Sequence, residues 1–153
     1  MKILIQRVTK ASVTVENKIV GKIGKGFLVF LGITHNDSKK EAQFLADKVV
    51  TLRVFEDSEG KMNLSLKDVK GSALIISQFT LYGDAIRGRR PGFTDAAKPE
   101  KAISLYEYFI SEVKRNGIKT ESGIFGAKME VSLVNSGPVT ILIEKLNNII
   151  SSH

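Results

Sequence analysis

Phe27-Leu-Val-Phe-Leu31 is five apolar residues without a break. A run of that length reads as a strand buried on both faces, inside a sheet that other elements cover. Leu74-Ile-Ile76 opens a second buried strand, which runs into Ser77-Gln-Phe-Thr80. Val8 to Glu16 alternates instead, with Val13 and Val15 on one face and Thr14 and Glu16 on the other. Asn17-Lys18 can turn the chain and Ile19 to Ile23 returns it, which predicts a hairpin.

Two segments have helical spacing. Ser38-x-x-Glu41 is a capping-box pattern, and Ala42, Leu45, Ala46, Val49 and Val50 follow on one face. The second helix is expected from Pro99, with Ala102, Leu105, Tyr106, Phe109 and Val113 as its stripe and Asn116-Gly117 as its end. Phe55 to Gly60 reads as a turn. The chain closes with Met129 to Val134, a Ser136-Gly-Pro138 turn and Val139 to Ile143, expected as strand, turn and strand. The order β-β-β-α-β-α-β-β does not alternate strictly. It predicts an α+β fold with largely antiparallel sheets and two main helices. At 153 residues the chain has room for one ordinary domain, taken as residues 1–153.

Composition narrows the chemistry. Cysteine is absent, which excludes a disulfide framework, a thiolate nucleophile and Cys-ligated metal. The two histidines are His35 and His153, too few for a site built on several imidazoles, so no metal or cofactor is expected. Hydroxyls, carboxylates, backbone groups or the substrate itself must supply any catalysis. The net charge of +7 suits a polyanion, although a merely soluble basic protein would show it too. The apolar run after Met1 breaks too early for a signal peptide. The longest uncharged stretches, Gly71 to Gly83 and Val131 to Ile143, fall short of the roughly 20 residues of a spanning helix. A cytoplasmic protein with no membrane partner is the expectation.

Four stretches could carry chemistry. Ser77-Gln-Phe-Thr80 brings two hydroxyls and an amide to a strand end, beside backbone N–H groups suited to an oxyanion. Hydroxyls that merely cap a turn would look the same. Asn135-Ser-Gly-Pro138 is a turn whose glycine allows close approach of the backbone. Its Gly–Pro bond is ordinarily trans, since only about 5–6% of X–Pro bonds are cis. Arg87-Gly-Arg-Arg90-Pro-Gly-Phe93 sets three arginines among glycines and a ring, which suits phosphate contacts or a solvated loop. Gly123-Ile-Phe-Gly-Ala127 places a ring, Phe125, on an unusual backbone. No carboxylate pair stands out, and Asp84, Asp95, Glu100, Glu107 and Glu112 read as caps or exposed faces.

Taken together, Ser77-Gln-Phe-Thr-Leu-Tyr82, Gly88-Arg-Arg-Pro-Gly-Phe93, Gly123-Ile-Phe-Gly-Ala-Lys-Met129 and Asn135-Ser-Gly-Pro-Val-Thr140 form an ordered set, joined by Gln6-Arg-Val-x-x-Ala-Ser-Val13. With these motifs, the sequence resembles the bacterial D-aminoacyl-tRNA deacylases along essentially its whole length. The resemblance implies hydrolysis of the ester joining a D-amino acid, or glycine, to the terminal adenosine of tRNA, with rejection of L-aminoacyl-tRNA. It implies a homodimer with active sites at the subunit interface and a cis Gly137–Pro138 bond that enters the neighbouring subunit's pocket. Arg7 would help hold that motif across the interface, while Phe79, Phe125 and Met129 shape the pocket. Ser77, Gln78 and Thr80 would lie beside the ester, with backbone N–H groups around Phe79 and Thr80. Arg87, Arg89 and Arg90 would contact tRNA. The rival reading is an RNA-binding module without catalysis.

Overall fold

The computed structural model describes residues 1–147. Strand β1 (Lys2–Val15) is the hub of the main sheet. On one side of it lie β2 (Lys18–Ile23) and β3 (Gly26–Gly32), end to end and both antiparallel: β3 pairs with Lys2 to Val8 and β2 with Ala11 to Val15. On its other side runs β8 (Glu130–Glu144), antiparallel along nearly the whole length of β1. Beyond β3, β6 (Ser72–Ser77) and β7 (Lys119–Ser122) add in parallel. A small hairpin, β4 (Phe55–Glu56) with β5 (Met62–Leu64), stands apart. The helices are α1 (Lys39–Thr51) and α2 (Pro99–Arg115).

The unbroken run in β3 has the predicted consequence. Phe27, Val29 and Leu31 face a core shared with Leu45 and Val49 of α1 and Phe109 and Val113 of α2. Leu28 faces the opposite way, into a second core with Val13, Ile23, Leu74 and Ile76. The curl of the sheet closes this second core. Gly21 of β2 lies so near β6 and β7 that a Cβ there would stand 3.0 Å from the Ser122 carbonyl and 3.1 Å from Leu74. Each fully buried large apolar side chain contributes about 1.5–3 kcal/mol.

Helix α1 starts as its capping box requires. Lys40 N–H donates to Ser38 Oγ at 3.3 Å, and Ser38 N–H donates to Glu41 Oε2 at 2.7 Å. Just before it, buried Asp37 accepts from the Met1 ammonium and from Thr34 N–H, both at 2.8 Å. Among the described residues no helix is long and apolar enough to cross a membrane.

Several expectations need correction. Residues 2–15 form one strand, and the hairpin turns at Glu16-Asn17, both with positive φ, rather than at Asn17-Lys18. Phe55 to Gly60 is more than a turn, because Phe55 and Glu56 pair with β5. The strand after Leu74 stops at Ser77, and Phe79–Tyr82 forms a 3-10 turn. Polar Lys119–Ser122, where the sequence pattern predicts no element, is a strand by virtue of its pairing with β6. Glu112 is buried, with Arg115 donating to its Oε2 at 2.6 Å.

The largest correction concerns the chain's end. Val131 to Ile143 does not reverse at Ser136-Gly-Pro138, because both halves pair with the same strand. Gln6 lies opposite Thr140 and Val8 opposite Asn135, so two steps along β1 match five along β8. The surplus residues form a bulge.

Candidate active site

Strand β6 is held on both edges, by β3 and β7, and so delivers Ser77 to a fixed place. Gln78 N–H then donates to the Leu31 carbonyl at 2.8 Å, and the chain bends into the 3-10 turn. The first bond inside that turn runs from Leu81 N–H to the Gln78 carbonyl. The N–H groups of Phe79 and Thr80 therefore precede it, in the position where helical turns leave donors unpaired.

Beside this turn lies a cavity of about 660 Å³, whose wall includes Ser77, Gln78, Phe79, Phe125 and Met129. That volume falls within the roughly 300–1,000 Å³ of small-ligand sites. Five of the residues singled out in the sequence thus meet around one space. Thr80 is exposed beside it and is not part of the wall; its Oγ1 accepts from the Gln78 side-chain amide. Gly123 allows the far wall to close, since a Cβ there would lie 2.5 Å from Met129 Sδ. Tyr106 braces the same wall from the core. Its hydroxyl donates to the Ile75 carbonyl at 3.0 Å, and its ring lies 5.9 Å from that of Phe125. Burial holds this phenol protonated, pushing its pKa up to about 12.

Lys98 and Phe93 also line the cavity, and the sequence assigned neither to the pocket. Lys98 stands at the N-cap position of α2, and Phe93 packs edge-to-face on Phe79 with ring centroids 5.1 Å apart. Phe93 closes the arginine motif, so its aromatic ring was the available signal. Asp84 and Gly92 exchange backbone hydrogen bonds of 2.8 and 2.9 Å, which pinch the arginine loop at its base. Arg87, Arg89 and Arg90 project from it exposed, with Arg87 Nε 3.7 Å from Asp84. The base of this loop and the cavity therefore share one wall.

Gly137 and Pro138 are not on the cavity of their own chain. They sit exposed on the β8 bulge, joined by a cis peptide bond. Asn135 shapes the bulge: its Oδ1 accepts from Val139 N–H at 2.7 Å, and its Nδ2 donates to Thr140 Oγ1 at 2.9 Å. Arg7, 7% exposed, reaches the bulge of its own chain. Its Nε donates to the Ser136 carbonyl at 2.9 Å and its Nη1 to the Val54 carbonyl at 2.7 Å. Arg7 and Ser136 line a separate hollow of about 260 Å³.

Among the described residues no three His, Cys, Asp or Glu side chains are grouped to hold a metal. His35 does not line the cavity, its Nε2 lying 2.6 Å from the Thr94 carbonyl, and His153 is outside the described residues. Among the described residues the single titratable side chain on the cavity wall is Lys98.

Fold and cavity define a small α+β protein with a largely apolar candidate ligand site, into which Ser77 brings a hydroxyl, Gln78 an amide and Lys98 an ammonium. Comparison with known proteins makes this specific. The chain belongs to the D-Tyr-tRNA(Tyr) deacylase family, whose model matches residues 4–144. It is 57% identical to the D-aminoacyl-tRNA deacylase of Exiguobacterium sp. over 145 residues, 95% of this chain and 99% of that one. It is 60% identical to the enzyme of that name from Fusobacterium nucleatum over 144 residues, 94% and 95% of the two chains. A solved structure of the c-Myc DNA unwinding element binding protein superposes with a TM-score of 0.89 at 40% identity, covering 96% of this chain and all of that one.

Proposed function

We propose that this protein hydrolyses the ester of D-aminoacyl-tRNA, releasing the D-amino acid and free tRNA, and that the whole chain acts as one deacylase domain. The observation that carries the reading is the shared wall. A cavity fed by Ser77 and Gln78 adjoins, through the Phe79–Phe93 contact, the base of an exposed arginine loop. Such a site receives the terminal aminoacyl group while the arginines meet phosphates.

The chemistry is modest, because an aminoacyl ester is already activated. Among the described residues the Thr80 hydroxyl is hydrogen-bonded to the Gln78 amide, and an amide in either orientation is no general base. Water therefore attacks the ester carbonyl with help from the adenosine 2′-OH beside it, the acyl–oxygen bond breaks, and the proton lost by water ends on the departing 3′-oxygen. The N–H groups of Phe79 and Thr80 hold the oxyanion, and Ser77 and Gln78 orient the substrate. Met129, Phe79 and Phe125 enclose the amino-acid part.

Chirality is read by a second copy of the chain. Gly137 and Pro138 stand exposed, braced by Arg7 and Asn135, and away from their own cavity. Among the described residues strand β8 pairs with β1 alone, and it exposes Val134 and Leu142, 45% and 58% accessible. In a homodimer this strand carries the motif into the partner's cavity, where it leaves no room for an L side chain. Glycine, with no side chain, is accepted. The reaction belongs to the cytoplasm, where charged tRNA is used.

The test is incubation with matched D-Tyr-tRNA, L-Tyr-tRNA and Gly-tRNA. Rapid release of D-tyrosine and glycine with L-Tyr-tRNA intact supports the reading. Binding of all three without release would establish the rival RNA-binding module.

A further inference from the structure

We infer that Lys2 is a positioning residue for this reaction: it clamps the rear of the Phe79–Tyr82 turn, and so fixes the N–H groups at its front. The inference rests on the deacylase reading for its catalytic consequence, and on geometry alone for the clamp.

The front of the turn is anchored by the 2.8 Å bond from Gln78 N–H to the Leu31 carbonyl. Its middle rests on Gly32, where a Cβ would stand 2.9 Å from Leu81 Cβ and 3.2 Å from the Gln78 carbonyl oxygen. Only a residue without a side chain lets the turn sit that close to β3. At its edges the turn is closed by Leu81 N–H to the Gln78 carbonyl at 3.3 Å and Gly83 N–H to the Thr80 carbonyl at 2.9 Å. A single 3-10 turn of four residues, with its poorer hydrogen-bond geometry, is not rigid by itself.

Lys2 supplies the rear anchor. It stands in β1 opposite Gly32 on one side and Glu144 on the other. Its Nζ donates to the Leu81 carbonyl at 3.2 Å and lies 4.6 Å from the centroid of the Tyr82 ring. Glu144 Oε2, 3.5 Å away, keeps the ammonium in place. The side chain is three-quarters buried, with 24% of it accessible. The Tyr82 hydroxyl is buried with no hydrogen-bond partner among the described residues, so there the ring is held by its face and not by its oxygen. One ammonium therefore grips the turn through both a carbonyl and a ring. The residues that this grip immobilises, Phe79 and Thr80, carry the proposed oxyanion donors. Donors of that kind act only when they are held in place before the charge develops.

The test compares Lys2→Met, which keeps the stem and removes the donor, with Lys2→Arg, which can donate and stack as lysine does. Lys2→Met should lower kcat on D-Tyr-tRNA by between about tenfold and a hundredfold, with KM held within about twofold. Lys2→Arg should restore most of it. Amide hydrogen exchange gives a readout independent of activity: Leu81 and Gly83 should exchange faster in Lys2→Met, with Val29 of β3 unchanged. Unchanged kcat and unchanged exchange in Lys2→Met would overturn the proposal. So would faster exchange throughout the sheet together with a loss of activity that Lys2→Arg does not restore, since that marks a general structural role. If the wild type fails to cleave D-Tyr-tRNA, the deacylase reading falls, and exchange at Leu81 and Gly83 still decides whether the clamp exists.

Discussion

Arg7 and Ser136 are 129 positions apart, yet the guanidinium Nε of the first donates to the carbonyl of the second at 2.9 Å. The bond ties the middle of the first strand to the bulge in the last. Removing the side chain, as in Arg7→Met, leaves the Ser136 and Val54 carbonyls without their donor. A buried polar group left unpaired costs about 1–3 kcal/mol. Urea unfolding should show a loss of that order. Deacylation of D-Tyr-tRNA should fall further than stability does, because the bulge that carries Gly137 is released. Equal activity per folded molecule would detach Arg7 from the motif's role.

The arginine loop predicts a salt effect. Each phosphate contact contributes roughly −0.7 to −0.9 to the slope of log affinity against log salt. Arg89 and Arg90 are exposed, and neither has a carboxylate recorded at salt-bridge distance among the described residues. Replacing both with alanine should flatten the slope by about 1.4–1.8 and weaken binding of uncharged tRNA. An unchanged slope with unchanged affinity would remove the loop from the RNA footprint.

Acid should unfold the protein partly through Glu41. Burial pushes its carboxyl up, but hydrogen bonds from the Ser38 side chain and backbone outweigh it, and the net pKa lies below the ordinary 4.5. A group depressed in the folded state stabilises fully above its unfolded pKa, and that contribution is lost as pH falls through the folded value. Stability measured by urea at successive pH values should therefore drop from about pH 4.5 downward. Glu41→Gln should be less stable at pH 7 and show a shallower drop. An identical pH profile for the two proteins would contradict the capping-box account.

Local patterns in the sequence foretold local structure. The apolar run of Phe27 to Leu31 and the Ser38–Glu41 box each report on neighbours within a few residues, and both are found as read. What depends on distant pairing was hidden. Lys119–Ser122 has the polar look of a loop and becomes a strand only because β6 offers it a partner. Ser136-Gly-Pro138 has the chemistry of a turn, but β1 pairs with the chain on both sides of it and makes it a bulge. The site divides in the same way. Ser77, Gln78, Phe79, Phe125 and Met129 meet at one cavity, whereas Phe93 and Lys98 join it through a loop path that no spacing rule reveals. The placement of Gly137 and Pro138 away from their own cavity is equally a property of the whole sheet.

The central claim is that the ester is cleaved in this cavity with no side-chain nucleophile. Loss of a serine-hydrolase-type nucleophile costs about 10⁴–10⁶ in rate. If Thr80 only positions substrate, Thr80→Ala should lose less than about a hundredfold, far short of that. The decisive measurement is the single-turnover rate on D-Tyr-tRNA ending in 2′-deoxyadenosine, with the ester on the 3′-oxygen, beside the normal substrate. The account predicts that the deoxy substrate binds as tightly and reacts very slowly. Rapid cleavage of it, or an acyl-enzyme trapped on Thr80 or Ser77, would contradict the account.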